Sequence, residues 1–207
     1  MKRNYDTIAL FYDRLARLAY GKTLVNAQQY LLNAIPAGAH VLIAGGGTGW
    51  VLEEIAKIHP SGLTIDYIDI SSKMISIAEK RNAGNNRVTF ITAPVQDAPY
   101  GAEKYDVALT PFLFDNFTNN TLKKIFSIID QQLSRDGIWL YCDFRDTGIL
   151  WQKVLLKIMY LFFRLCCGIE ASHLPDVASC FSSNHYKITR QRTYMKGFVV
   201  AAIYKRI

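Results

Sequence analysis

Nine consecutive residues constrain this chain more than any other stretch: Val41-Leu42-Ile43-Ala44-Gly45-Gly46-Gly47-Thr48-Gly49. An apolar run of strand length enters a glycine-rich turn, and the residues that follow, Trp50 to Ile58, have helical spacing. Glycine lacks a Cβ and tolerates positive φ, so backbone amides at such a turn can approach a bound nucleotide closely. Asp69 stands 20 positions after Gly49, at the end of the next predicted strand. A turn and an acid placed this way point to a ribose-bearing cofactor.

The rest of the chain continues the alternation. Strands are predicted at about His40–Ala44, Thr64–Ile70, Val88–Thr92, Tyr105–Thr110 and Ile138–Cys142. Helical spacing covers Ile8–Leu32, Trp50–Ile58, Ser71–Arg81 and Thr121–Leu133, with Ser71 and either Thr118 or Asn120 as N-caps. Strands alternating with helices imply parallel βαβ units with helices on both faces of a sheet. Two further β-rich runs, His185–Tyr194 and Phe198–Tyr204, flank Met195-Lys196-Gly197. They form a hairpin, so one of them runs antiparallel to its neighbours. The expected fold is α/β and Rossmann-like: a seven-stranded, mostly parallel sheet closed by an antiparallel hairpin strand. One domain spans 1–207, with a helical cap at 1–36 and a helical insert at 148–184.

Twenty-four basic and 17 acidic residues leave a net charge of +7, and the apolar fraction of 50% excludes disorder. The surplus reads as a basic surface or as attraction to phosphate or an anionic membrane. Met1-Lys2-Arg3-Asn4 leads into an amphipathic segment rather than a signal peptide. Cys142, Cys166, Cys167 and Cys180 show no CxxC spacing and read as reduced thiols. A cytoplasmic protein without a bound metal is expected.

The glycine turn, Asp69 and the closing hairpin together resemble the class I S-adenosylmethionine-dependent methyltransferases. The likeness is to the small-molecule branch that includes the ubiquinone/menaquinone-biosynthesis type, and it spans nearly the whole chain. The family's Gly-x-Gly-x-Gly turn is matched by Gly45, Gly47 and Gly49, with Gly46 inside it. The resemblance implies that this turn wraps the methionine part of S-adenosylmethionine and that Asp69 binds the ribose hydroxyls. It also implies that Ile70, Met74, Val95, Gln96 and Thr110 complete the cofactor site. Two positions depart from the pattern. Ile43 stands where the family carries an acid two residues before the first glycine, and Pro94 replaces the acid after strand three. A dinucleotide-binding fold is the rival, but its third glycine would fall at Trp50.

Ligands in open α/β sheets bind outside the carboxyl ends of the strands. Thr110-Pro111-Phe112-Leu113-Phe114-Asp115 and Asp143-Phe144-Arg145 end there. Asp115 and Asp143 are the candidate bases or substrate-orienting acids, or else turn formers. Phe112, Phe114 and Phe144 suit an apolar acceptor site, and Arg145 suits an acidic substrate group. Tyr12, in Phe11-Tyr12-Asp13-Arg14, matches the Tyr-Asp pair that the family folds over its cofactor, with Tyr5 and Tyr20 nearby.

Trp151 to Cys167 is strongly apolar, with Lys153, Lys157 and Arg164 its only charges. At about 100° per residue those three lie within about 40° of one another. A core helix with one wet edge, a lid over an apolar substrate and a helix docked on an anionic membrane are all consistent with that pattern. The expected activity is methyl transfer to a small, apolar, lipid- or quinone-like acceptor, without DNA. A methyltransferase-fold binding protein without turnover and an RNA methyltransferase are the alternatives.

Overall fold

A computed structural model describes residues 5–207; residues 1–4, the start of the expected cap, lie outside the described residues. A 3₁₀ turn at Tyr5–Thr7 precedes α1 (Tyr12–Tyr20) and α2 (Thr23–Leu32). The alternating part runs β1 (His40–Ala44), α3 (Trp50–Ile58), β2 (Ser61–Asp69), α4 (Ser72–Ala78), β3 (Asn85–Thr92) and β4 (Tyr105–Pro111). It continues through α5 (Asn119–Gln132) and β5 (Leu133–Phe144). After it come α6 (Leu150–Cys167), α7 (Val177–Ser183), β6 (Tyr186–Tyr194) and β7 (Val199–Arg206).

The strands form one sheet in the order β3-β2-β1-β4-β5-β7-β6. The first five strands pair in parallel, and β7 runs antiparallel to both β5 and β6. This is the seven-stranded α/β fold with its antiparallel hairpin strand. The hairpin turns through Met195, Lys196 and Gly197, all at positive φ.

Side chains along each strand alternate between two cores. Val41 and Ile43 of β1 join Leu31 and Leu32 of α2, Leu52 and Ile55 of α3, and the inner face of α6. Leu42 and Ala44 join Leu122, Ile125 and Phe126 of α5 and Phe181 of α7. Trp139 stacks on Phe126 at 4.6 Å in that second core, and Phe181 on Tyr204 at 3.6 Å. Ile43 is fully buried among apolar neighbours, which is the environment its side chain requires in place of an acid.

Several element boundaries differ from expectation, β2 and β3 each starting three residues early, at Ser61 and Asn85. The helical stretch 8–32 breaks at Gly21, whose φ of 59° and ψ of −127° an L residue avoids, so α1 and α2 point in different directions. Ser71 caps α4 as expected, but the helix stops at Ala78, because Arg81 turns back to the glycine turn. β5 starts at Leu133, the predicted Arg135-Asp136-Gly137 turn being taken up as an irregularity in its pairing with β4. Thr118 is the cap of α5.

Candidate active site

β1 pairs with β2 on one side and β4 on the other, so the chain changes direction across the sheet at β1 and a crevice opens at the strand ends. The glycine turn lies at its centre. The amides of Gly45 and Gly46 both donate to the Ile68 carbonyl, at 2.8 and 3.3 Å. A Cβ at Gly46 would stand 2.1 Å from Cζ of the fully buried Tyr67, so only glycine fits. Gly47 is different: its φ is +65° and nothing lies within 4 Å of where its Cβ would be. That is the open side of the cradle.

Asp69 ends β2 beneath this turn. Its Oδ2 accepts from the Gly47 amide and its Oδ1 from the Ser71 amide, both at 2.9 Å. Burial raises its pKa, against the opposing effect of those two amides. A carboxylate offers about four acceptor directions, so two amides leave capacity for two hydroxyls. A side-chain-free edge beside a buried carboxylate fits a ribose-bearing cofactor.

The N-terminal segment is latched over the turn. Asp13 of α1 accepts from Thr48 Oγ1 at 2.6 Å and from Arg81 Nη2 at 2.9 Å, and Arg81 Nε donates to the Thr48 carbonyl at 3.0 Å. Asp6 accepts from the Lys73 amide at 3.2 Å. The latch carries Tyr12 into the crevice, where burial and the charges of Asp115 and Asp69 raise its hydroxyl pKa above the usual phenol range. Tyr12 therefore feels both carboxylates, and its ring packs 6.4 Å from Phe163.

The second carboxylate belongs to the loop after β4. Leu113 packs on Gly45, 2.8 Å from the position of an added Cβ, and so joins this loop to the cradle. The loop is held by Asp143 of β5. Asp143 Oδ2 accepts from the amides of Phe114 and Asp115 at 3.0 and 3.2 Å, and Oδ1 accepts from the Phe144 amide at 2.8 Å. Burial outweighs those three amides and pushes the Asp143 carboxyl up to about 7. Burial and the neighbouring Asp143 charge raise Asp115 well above the carboxylate range. The pair titrates together, and burial favours the protonated form of both carboxyls.

Tyr5, Tyr12, Tyr20 and Tyr160 lie near the buried Asp115, and further rings pack on them. Phe144 lies 5.2 Å from both Phe112 and Tyr20, and Phe163 of α6 lies 6.0 Å from Tyr5 and 6.4 Å from Tyr12. Phe112 holds a φ of 51°, a left-handed conformation that costs a bulky residue about 1–3 kcal/mol and that recurs at functional sites.

Residues 41–137 match the family model of a methyltransferase domain. Over that stretch the chain carries a methyltransferase domain. It is 28% identical over 190 residues to the ubiquinone/menaquinone biosynthesis C-methyltransferase UbiE of Geotalea daltonii, covering 86% of this chain and 73% of that protein. It is 29% identical over 148 residues to the malonyl-[acyl-carrier protein] O-methyltransferase of Bacillus cereus, covering 70% of this chain. The chain spans about half of that second relative's length, 52%. The fold matches magnesium protoporphyrin IX methyltransferase ChlM of Synechocystis PCC 6803, solved with bound SAH. The TM-score is 0.67 at 21% identity, covering 95% of this chain and 88% of that one.

The residues singled out from sequence separate into two groups. Gly45, Gly46, Gly47, Gly49 and Asp69 surround the cradle, and Ile70 and the buried Met74 continue from Asp69 into α4. Val95 is buried and Gln96 exposed on the turn after β3. Tyr12, Phe112, Asp115, Asp143 and Phe144 converge on the other side. Three candidates lie outside both groups. Thr110 turns away from the crevice, because its hydroxyl accepts from the Trp139 indole at 3.0 Å in the second core. Phe114 is fully buried in that same core, among Phe126, Trp139 and Tyr141. Arg145 is exposed and lies against the hairpin turn, its Nη2 3.1 Å from the Cβ position of Gly197.

Three contributors to the site escaped the sequence reading. Asn116 Nδ2 donates to Asp115 Oδ1 at 2.7 Å, and its Oδ1 accepts from the Tyr5 hydroxyl. Tyr160 of α6 donates to the Asp115 carbonyl at 3.2 Å. Arg81 joins the turn to α1. Asn116 sits beside Asp115 and carried a local signal. Tyr160 lies 45 residues from its partner, with no sequence pattern to connect them.

Proposed function

We propose that the chain transfers the methyl group of S-adenosylmethionine to a small, largely apolar, quinone- or lipid-like acceptor. The observation that carries this reading is the buried Asp115 among tyrosine side chains, on a loop joined to the glycine cradle through Leu113. The names of the relatives support it: one serves ubiquinone and menaquinone biosynthesis, the other methylates a malonyl group on acyl-carrier protein.

Bound S-adenosylmethionine supplies an electrophilic methyl group on a positive sulfonium. Gly45 to Gly49 hold it through backbone groups, and Asp69 accepts from the ribose hydroxyls. Met74 and Val95 bound the adenine side. Phe112, Phe144 and Tyr20 orient a flat apolar acceptor and keep water out, so alignment supplies much of the rate. Asp115 takes the acceptor's proton as the methyl bond forms. Asp143 acts through the Asp115 backbone and is a positioning residue. Residues 5–36 and 148–184 close the site as cap and insert of one domain.

Titration calorimetry with S-adenosylmethionine and its demethylated product, followed by transfer of a labelled methyl group to a demethylated quinol, tests this. Expected are binding of both nucleosides and label in the quinol. No binding at millimolar concentration overturns the reading. Binding without transfer to any apolar acceptor supports the binding-protein alternative, which the missing acids at Ile43 and Pro94 favour.

A further inference from the structure

Most apolar side chains of this protein are well hidden, and the exceptions are grouped. Among the described residues 13 large hydrophobic side chains are exposed, and ten of them lie at 10–18 or 150–165. Helix α6 divides into three sectors at about 100° per residue. One sector, with Leu156, Met159 and Tyr160, is buried against the core. A second, with Val154, Ile158, Leu161 and Leu165, is exposed. The third is the stripe of Lys153, Lys157 and Arg164, also exposed, which borders the apolar sector along the helix. No acid occurs between Leu150 and Cys167.

Helix α1 extends the same surface. Phe11, Leu15 and Leu18 are exposed, and with Phe162 and Cys166 of α6 they line a groove of about 550 Å³. Arg14 borders this groove, and Arg17 is exposed one turn along. The acid of α1, Asp13, is committed to Thr48 and Arg81 at the glycine turn. A helix pair with an apolar face and cations beside it is complementary to a bilayer surface with anionic headgroups, where acyl chains receive the apolar residues and phosphates the basic ones. Among the described residues no helix is long and apolar enough to cross a membrane.

We infer that α1 and α6 form a docking face for an anionic lipid bilayer, lying in the interface rather than spanning it. The inner side of α6 carries Tyr160, which donates to the Asp115 carbonyl, and Phe163, which packs on Tyr5. Docking therefore places the α1–α6 groove on the membrane and gives an apolar molecule dissolved there a short route inward. The inference rests on the surface and its charges, and it stands whether or not the proposed acceptor is correct.

Co-sedimentation of the full chain with phosphatidylglycerol-containing vesicles, against pure phosphatidylcholine vesicles, tests it. The wild type is expected to bind the anionic vesicles and to leave them at high salt. K153E with K157E should lower partitioning at least about ten-fold, because each basic residue near such a surface contributes about a factor of five. L161S with L165S should remove it. All four side chains are exposed, so both variants are expected to keep the wild-type melting temperature. Equal sedimentation of wild type and both variants overturns the inference. So does a dimer in analytical ultracentrifugation that L161S with L165S dissolves, since a second copy would then own the face. Loss of nucleoside binding in the calorimetry above, with vesicle binding intact, would overturn the methyl-transfer reading alone.

Discussion

Asp69 is held by backbone amides, whereas around Asp115 side chains from β5, α6 and the N-terminal segment join the adjacent Asn116. Gly47 and Ser71 hold Asp69 from close range in the β1–β2 region. Asp115, by contrast, depends on Asp143, Asn116, Tyr160 and the N-terminal tyrosines. The first arrangement is a property of a strand ending and a turn, and one fold can repeat it for many substrates. The second is a property of which side chains reach Asp115, and it is where an acceptor is selected.

Substitutions on either side test that contrast. The largest effect is expected at Asp143→Ala, which strands three buried amides and should cost about 3–5 kcal/mol of stability in denaturant titration. A loss below about 1 kcal/mol would mean that the loop after β4 does not depend on this anchor. Asp69→Ala should weaken cofactor binding by about 1.5–3 kcal/mol in calorimetry, with acceptor affinity unchanged. Unchanged cofactor affinity would remove its ribose role. Gly46→Ala forces a methyl group into Tyr67 and should cost about 2 kcal/mol of stability, seen as a lower melting temperature.

A pH-graded effect is expected at Asp115→Asn. Both acids of the pair bind protons more tightly in the folded chain than in the unfolded one. Their contribution to stability is therefore greatest below the ordinary carboxylate range, near pH 4, and is lost as pH rises through the raised values, about 7 for Asp143. The stability of the wild type relative to Asp115→Asn should fall across that window. A relative stability that rises instead would contradict the raised values. Turnover of the wild type should increase with pH as Asp115 ionises, and Asp115→Asn should lose that dependence. The smallest effect is expected at Asp13→Asn, a partly exposed latch, at about 1 kcal/mol or less of stability.

The legibility of the sequence follows the same division. The strand, the glycines and Asp69 were readable because backbone geometry demands particular residues at fixed spacing, and the alternation of strands and helices carried the sheet. Thr110 and Phe114 were misplaced because position at a strand end does not say which face a side chain takes. Thr110 met Trp139 and Phe114 joined the opposite core. Arg145 is held at the hairpin by a contact with a turn 52 residues away. Tyr160 was beyond reach for the same reason: the sequence showed a greasy helix but not which of its rings would face inward.

The place of β7 between β5 and β6 bears on how the chain is born. β5 emerges from the ribosome with its outer edge bare, and the strand that covers it begins only at Val199. β6 appears earlier but has β7 as its only neighbour in the sheet, so it must wait for the hairpin to close at Met195–Gly197. Until then the nascent chain displays an open, apolar strand edge, the kind of surface that chaperones hold and that aggregation exploits. The residues that complete the sheet are thus also those that end its period of risk.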